Sequence, residues 1–378
     1  MKIKAVDHEH YMRLAAGLAK KGLGRTSPNP CVGAIVVRSG KVVGKGYHRK
    51  AGLSHAEVAA IEDAGRLAKG AVLYVTLEPC DHYGRTPPCT MRIMDAGIKE
   101  VYIGTIDPNP IVSGRGVKRL ISAGIKVNIG ILEKECKAIN EAYEKYITKN
   151  LPFVTVKLAA SMDGRIATIR GESRWITSKA SRTHVHRLRA LVDAVMVGGG
   201  TLKKDDPALT VRHVPGKDPV KVVLTSSFNI SSKASVFKGL KQGERLIIFT
   251  SFNAPDDRVR SAVKMGAEVV MFKKTKDGIS LKQVLRELAK RAITSVMIEG
   301  GARLAASALR QGLVDKVIFF YSPRIIGGDG LSMVGDLGLK RLSYAVRLRD
   351  IKATPIGEDL MVEGYIKAKK TKKICLQA

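Results

Sequence analysis

Aromatic side chains are scarce in this sequence: they make up 5% of 378 residues, with a single tryptophan, Trp175. A groove that stacks unpaired bases needs aromatic platforms, so the scarcity counts against a single-stranded nucleic-acid binder. Cysteine is also sparse: Cys31, Cys80, Cys89, Cys136 and Cys375. An odd, scattered set gives no disulfide framework and suits a reducing compartment. No apolar run approaches the ~20 residues of a membrane helix, and the first residues mix charge throughout, without the apolar core of a secretory signal. These absences lead us to expect a cytoplasmic protein with no membrane partner. Acidic residues are short as well, 34 against 65 Lys and Arg, for a formal net charge of +31. Such a balance attracts anions, either nucleic acid or phosphorylated small molecules. The excess is spread along the chain and concentrates only in the terminal Lys367 to Lys373. A solvated cationic surface is therefore favoured over a nucleic-acid footprint.

What is present is ample apolar material, 45% of residues, and a length that suits two domains. Residues 1–150 alternate elements. Helices are expected at His8 to Lys21, Ala56 to Leu67, Cys89 to Ala96, Val117 to Ala123 and Glu133 to Thr148. A hairpin is expected from Val32–Arg38 and Lys41–Tyr47, with further strands at Ala71–Leu77, Val101–Thr105 and Lys126–Ile131. Pro152 opens a new pattern. Beyond it, strands at 153–159, 194–198, 220–225, 245–250, 268–271, 296–299 and 316–321 are interleaved with helices at 178–191, 281–292 and 302–310. Alternating strands and helices indicate α/β layers in both halves. No internal repeat relates them. The expected division is residues 1–150, residues 151–367 and a basic tail, residues 368–378.

The chemistry concentrates between Ser54 and Cys89. Zinc takes imidazole nitrogen and thiolate sulfur, and three protein ligands leave a fourth position for water, as in catalytic rather than structural sites. His55 and Glu57 fall at a helix start, Cys80 follows a strand and Cys89 opens the next helix, where free N–H groups favour thiolate. Bound zinc lowers the pKa of water to roughly 7, so a carboxylate within reach can carry its proton. Zinc nucleobase deaminases show H-x-E followed by P-C-x-x-C, with the glutamate not a ligand. Here "HAE" and "PC" match, but eight residues, "DHYGRTPP", separate Cys80 from Cys89. Two structural cysteines and a surface histidine are the ordinary alternative. The order of H-x-E, strand, E-P-C and helix-opening cysteine favours a catalytic zinc.

With that gap, the runs "PNPCVGAIVV", "HAE", "TLEPCDHYGRTPPC" and "GTIDPNP" resemble the deaminase half of the bifunctional riboflavin-biosynthesis deaminase–reductases of bacteria. The resemblance implies a cytidine-deaminase-like three-layer α/β/α domain in which His55, Cys80 and Cys89 hold zinc and Glu57 moves protons. It further implies that Asn29, His48, His82 and Arg85 contact substrate. An Asn in a Pro-Asn-Pro turn can read a pyrimidine edge with donor and acceptor, and an Arg can meet a phosphate. A turn-forming Asn and loop cations are the plain alternatives.

Beyond residue 150 the chain has no G-x-G-x-x-G fingerprint, so a conventional dinucleotide fold is not expected. Instead "KLAASMDGRIA", "GESRWITS", "RLRALVDAVMVGGGTLKKDDPALTVR" and "IEGGARLAASAL" resemble the reductase half of the same family, with a dihydrofolate-reductase-like α/β fold. The resemblance implies NADPH contacts from Ala159, Trp175, Thr201, Asp205 and Gly301, and substrate contacts from Ser173, Arg189, Leu209, Arg212 and Glu299. Glycines at strand-to-helix turns let backbone approach a dinucleotide, although a tight turn alone would use them too. Trp175 could face the nicotinamide or fill a core, and Asp163 reads as a turn residue. The expected partner is a small phosphorylated pyrimidine; a homo-oligomer stays open. The rival reading is a tRNA or single-stranded nucleic-acid deaminase with a non-reductase second domain, against which the few aromatics and the second half both weigh.

Overall fold

The computed structural model describes residues 7–83, 87–275 and 278–367. Arg85 and residues 368–378, the expected tail, lie outside them. The chain divides into two compact units. One runs to Phe153 and takes in Arg286–Thr294; the other comprises Val154–Leu285 and the chain from Ser295 onward.

In the first unit α1 (His8–Ala19) is capped by Asp7, whose carboxylate accepts from the His10 N–H. There follow β1 (Gly33–Arg38), β2 (Lys41–Tyr47), α2 (Ala56–Ala64), β3 (Val72–Leu77), α3 (Cys89–Asp95), β4 (Glu100–Thr105), α4 (Arg115–Ser122), β5 (Lys126–Ile129), α5 (Glu133–Ile139) and α6 (Glu141–Lys149). The sheet order is β2-β1-β3-β4-β5. β1 is antiparallel to both neighbours, and β3, β4 and β5 run parallel. Alternate residues point to opposite faces of a sheet. Ala34, Val36, Leu73, Val75, Val101 and Ile103 accordingly pack with Ala56, Ala60, Ile93 and Leu120 of α2, α3 and α4. Ile35, Val37, Tyr74 and Tyr102 pack with Met12, Ala15 and Cys136 of α1 and α5. The result is three layers. Helix α2 lies directly on β2, because a Cβ at Gly44 or Gly46 would come 2.2 Å from the carbonyl oxygen of Ala60 or Ala56.

The single helix expected over Glu133 to Thr148 is instead two. Asn140 separates them at φ −112°. Its side chain accepts from the Cys31 N–H at 2.7 Å and donates to the Cys31 carbonyl at 2.9 Å. Such side-chain bonds to backbone compete with helix geometry, and here they fasten the Pro-Asn-Pro-Cys loop.

The rest of the chain forms β6 (Phe153–Ser161), β7 (Arg165–Ala167), α7 (Lys179–Leu191), β8 (Ala194–Gly198), α8 (Gly199–Asp205), β9 (Val220–Leu224), β10 (Leu246–Ser251), α9 (Asp256–Lys264), β11 (Glu268–Phe272), α10 (Leu281–Lys290), β12 (Ser295–Glu299), α11 (Ala302–Arg310), β13 (Lys316–Ser322), β14 (Leu331–Ser332), β15 (Leu348–Ile356) and β16 (Asp359–Ile366); all but the start of β6 and the second half of α10 belong to the second unit. Nine strands form one sheet in the order β11-β10-β9-β8-β12-β6-β13-β16-β15. Neighbours from β11 to β12 are parallel, as are β6 and β13. The last hairpin is antiparallel. The central strands are buried along their length, as β8, β10 and β12 show, the pattern of a sheet covered on both faces.

Strands β7, β14, β15 and β16 and helices α8 and α9 escape the sequence reading, and two of them show why. Helix α9 buries only Val259 and Ala262, too narrow an apolar stripe to announce itself, although Pro255 and the two aspartates of its first turn are start signals. Most of β15 is exposed, so it lacks the apolar alternation that marks a half-buried strand. No helix among the described residues is long and apolar enough to cross a membrane.

Candidate active sites

In the first unit, three potential ligands converge from two strand-to-helix junctions. His55 is the N-cap of α2, and Cys89 is the first residue of α3. Cys80 follows the end of β3. His55 Nδ1 lies 3.1 Å from Cys89 Sγ and 3.6 Å from Cys80 Sγ, and the Cys89 N–H donates to Cys80 Sγ at 3.4 Å. The three donor atoms all lie within 4.8 Å of one another. Hydrogen bonding from Cys89 and from His55 holds the Cys80 thiol down at about 4, which favours the thiolate, the form in which cysteine can take a metal.

Glu57 points into the same place from the first turn of α2. It is 3% exposed, and its Oε2 has no hydrogen-bond partner among the described residues. Burial above all, then the Cys80 charge, raises its carboxyl to about 7. An orphaned carboxylate oxygen in a dry site is costly unless something belongs beside it. Together with one imidazole and two sulfur donors, it fits a divalent metal carrying an exchangeable ligand. His48 is 3% exposed. Its Nδ1 donates to the Ser54 carbonyl at 3.2 Å, so its Nε2 accepts from Asn29 Nδ2, also at 3.2 Å. Both ring nitrogens are thus engaged, and His48 orients the Asn29 amide. His82 is exposed.

The sequence reading passed over Glu78. Its buried carboxylate accepts from the backbone N–H groups of Asp107 (3.2 Å), Gly114 (2.9 Å) and Val117 (3.2 Å). It thereby ties the end of β3, just before Cys80, to the Asp107–Gly114 loop and the start of α4. A glutamate ahead of Pro-Cys, after an apolar strand, was the available signal.

In the second unit, the glycine segments singled out from the sequence meet. Strand β8 ends at Gly198 and α8 starts at once. Gly300 and Gly301, after β12, take φ of +80° and +81°, which only glycine adopts freely. A Cβ at Gly301 would sit 3.1 Å from Thr201 Oγ1, so Thr201 stands over this turn. Ala159 lies half-buried on β6. The Asp205 carbonyl accepts from Arg174 at 2.5 Å. Trp175 is 61% exposed, with the Arg182 guanidinium 4.4 Å from its ring centroid. A core-filling role for the indole is thereby excluded. Ser173 is half-buried nearby in the chain.

Arg189 of α7 and Glu299 at the end of β12 form a two-pronged ion pair. Nε donates to Oε1 at 2.6 Å and Nη2 to Oε2 at 2.9 Å, while Nη1 reaches the Thr210 carbonyl at 2.9 Å. Burial works against the Glu299 charge, but Arg189 overrides it and the carboxyl titrates below its usual range. Lys157 on β6 belongs to the same electrostatic group: desolvation lowers its pKa, and Glu299 opposes the shift. A lysine inside the apolar run "FVTVKLAAS" was a signal the sequence reading did not use. Leu209 is 1% exposed at φ +57° and its side chain belongs to the core, whereas Arg212 is exposed. Asp163 is more than a turn residue. Its carboxylate accepts from Ser161 Oγ and from the N–H groups of Ile326 and Gly327, which hold it at about 2.

Comparisons with known proteins agree with this division. Residues 5–105 match the cytidine and deoxycytidylate deaminase zinc-binding region, and residues 152–362 match the RibD C-terminal domain. The chain is 45% identical over 361 residues to the riboflavin biosynthesis protein RibD of Aquifex aeolicus, covering 95% of this chain and 98% of that one. It is 36% identical to the RibD of Escherichia coli, covering 94% and 98%. Among solved structures, Acinetobacter baumannii RibD superposes with a TM-score of 0.85 at 34% identity, covering 95% of this chain and 99% of that chain. The diaminohydroxyphosphoribosylaminopyrimidine deaminase/5-amino-6-(5-phosphoribosylamino)uracil reductase of Thermotoga maritima gives 0.82 at 41%, covering 95% and 98%. A cytidine-deaminase-like domain thus precedes a reductase domain, and the chain belongs to the RibD family, the bifunctional deaminase–reductases of riboflavin biosynthesis.

Proposed function

We propose that residues 1–150 hydrolyse the 2-amino group of 2,5-diamino-6-ribosylamino-4(3H)-pyrimidinone 5′-phosphate. Residues 151–367 would then reduce the ribosyl group of the product with NADPH, giving 5-amino-6-ribitylamino uracil 5′-phosphate. The observation that carries the first step is the unpartnered, buried Glu57 oxygen beside one imidazole and two sulfur donors. His55, Cys80 and Cys89 would hold zinc, which when bound makes a water nucleophilic near neutral pH. Glu57 takes a proton from the attacking water and delivers it to the leaving amine. The water oxygen bonds to the ring carbon, the C–N bond breaks and ammonia departs. A carboxyl raised to about 7 can both take and give that proton at working pH. Asn29, held by His48, reads the pyrimidine edge, and His82 and Arg85 meet the ribose phosphate.

For the second step, NADPH when bound would supply a hydride to the ribosyl C1′, while the bond from C1′ to the ring oxygen opens and that oxygen takes a proton from solvent or substrate. Ala159, Trp175, Thr201, Asp205 and the Gly301 turn would hold that cofactor. Ser173, Arg189, Leu209, Arg212 and Glu299 would hold substrate, Arg189 and Glu299 as a paired unit. The test is an assay of purified protein on the diaminopyrimidine phosphate, with and without chelator and NADPH. Ammonia release should need metal and not NADPH; NADPH oxidation should need the deaminated intermediate. Inosine formed in tRNA with no NADPH turnover would overturn the reading.

A further inference from the structure

Residues 209–212 run as a short strap whose backbone is held from several sides. Leu209 starts it in the left-handed region, its side chain buried with the core cluster. Each of the next three residues has one backbone group taken by a distinct side chain. The Thr210 carbonyl accepts from Arg189 Nη1 at 2.9 Å. The Val211 N–H donates to Asp218 Oδ1 at 2.5 Å. The Arg212 N–H donates to His186 Nδ1 at 3.1 Å. The Arg212 side chain stays exposed.

His186 is placed for this by helix geometry. It is 5% exposed on α7, on the same face as Arg189 and Ala190, three and four residues on. The chain returning from the strap to Asp218 lies flat on that face. A Cβ at Gly216 would come 2.5 Å from the Ala190 Cβ, so the close approach needs glycine. The His213 ring meets the His186 ring edge-on, with centroids 4.7 Å apart. An imidazole nitrogen accepts from an amide only when it carries no proton. Burial, then the charges of Arg189 and Arg212, keep His186 at about 4, so the ring is neutral at ordinary pH and its Nδ1 remains an acceptor.

We propose that His186 and Asp218 are positioning residues for the reduction: they fix the backbone at Val211 and Arg212 so that the Arg212 guanidinium meets the phosphorylated substrate in one orientation. The inference rests on the reading of Arg212 as a substrate contact. Neither residue touches the reacting atoms. Their effect is to have the strap ordered before binding, which shows as affinity rather than as chemistry.

The test uses the full-length enzyme and the deaminated ribosylamino pyrimidine phosphate. H186A and D218A should each raise the substrate KM about tenfold while leaving kcat and the NADPH KM close to wild type. His186→Gln, whose amide oxygen can accept the same N–H, should recover most of the affinity. The unchanged kcat and NADPH KM report that the second unit, which holds both residues, is folded. An unchanged KM in H186A, an equal loss in kcat and NADPH affinity, or a Gln variant as impaired as Ala would overturn the proposal. Arg212→Ala separates the two levels. If it leaves the substrate KM unchanged, the clamp reading falls and the positioning role with it. If it raises KM while H186A and D218A do not, the positioning inference alone falls.

Discussion

Glu57 and Glu299 are both glutamates at the edge of a helix or strand, both nearly buried, at 3% and 8% exposure, and they behave oppositely. Glu57 has an oxygen without a partner and a carboxyl pushed up to about 7. Glu299 has both oxygens taken by one guanidinium and a carboxyl held below its usual range. Residue type is the same, so environment alone sets the role. The first can exchange a proton near neutral pH, as the proposed deamination needs. The second is a fixed negative charge that orients Arg189 and, through Arg189, the Thr210 carbonyl.

The contrast is open to attack at both ends. The largest effect should come from Glu57→Ala: ammonia release should fall about 10²–10⁴-fold, the usual worth of a positioned proton carrier. Reduction of the deaminated intermediate should continue unchanged. The same variant should unfold in urea at an equal or higher midpoint, since it removes an unpaired buried carboxylate. Loss of both activities in folded protein would break the two-site account. Glu299→Ala should do the reverse, costing about 3–5 kcal/mol of stability because it leaves Arg189 buried and unpaired. Urea titration followed by a probe in the second unit would show it, and a cost below about 1 kcal/mol would mean that water already satisfies Arg189.

The smallest effect concerns pH. His186 faces Arg189, Arg212 and His213, with Glu299 opposing them. The unfolded chain takes up a proton there below about 6.5, the folded chain only below about 4. Between those values the unfolded state binds more protons, so this contribution to stability is whole above pH 6.5 and is lost as pH falls toward 4. Unfolding midpoints at pH 7 and pH 5 should therefore differ less in His186→Gln than in the wild type; equal differences would remove His186 from the account.

The deaminase site was legible because its parts are local. His55 and Glu57 share one helix start, Cys80 and Cys89 flank one loop, and each junction announces itself by an apolar strand or a helix signal. The reductase site was legible only as a list. Arg189 and Glu299 stand 110 residues apart, and nothing in either segment says that they pair. Read singly, each looked like a ligand contact; together each satisfies much of the other. Asp163 reads as a turn residue in the sequence because its bonds to Ile326 and Gly327 cross 163 and 164 residues. The partners of Glu78 and His186 are likewise distant backbone N–H groups, so only the position of Glu78 ahead of Pro-Cys marks either of them in the sequence.

By itself, then, the sequence determined the alternation of elements, the order of the two domains, and the cluster of His55, Cys80 and Cys89 with a carboxylate beside it. Those follow from short-range spacing and from which side chains must be buried. The tertiary structure decided which charges neutralise one another, which carboxylate is left unpaired and how the Arg212 strap is held. These depend on desolvation and hydrogen bonding between distant segments, and such terms take their sign only when the fold brings the groups together.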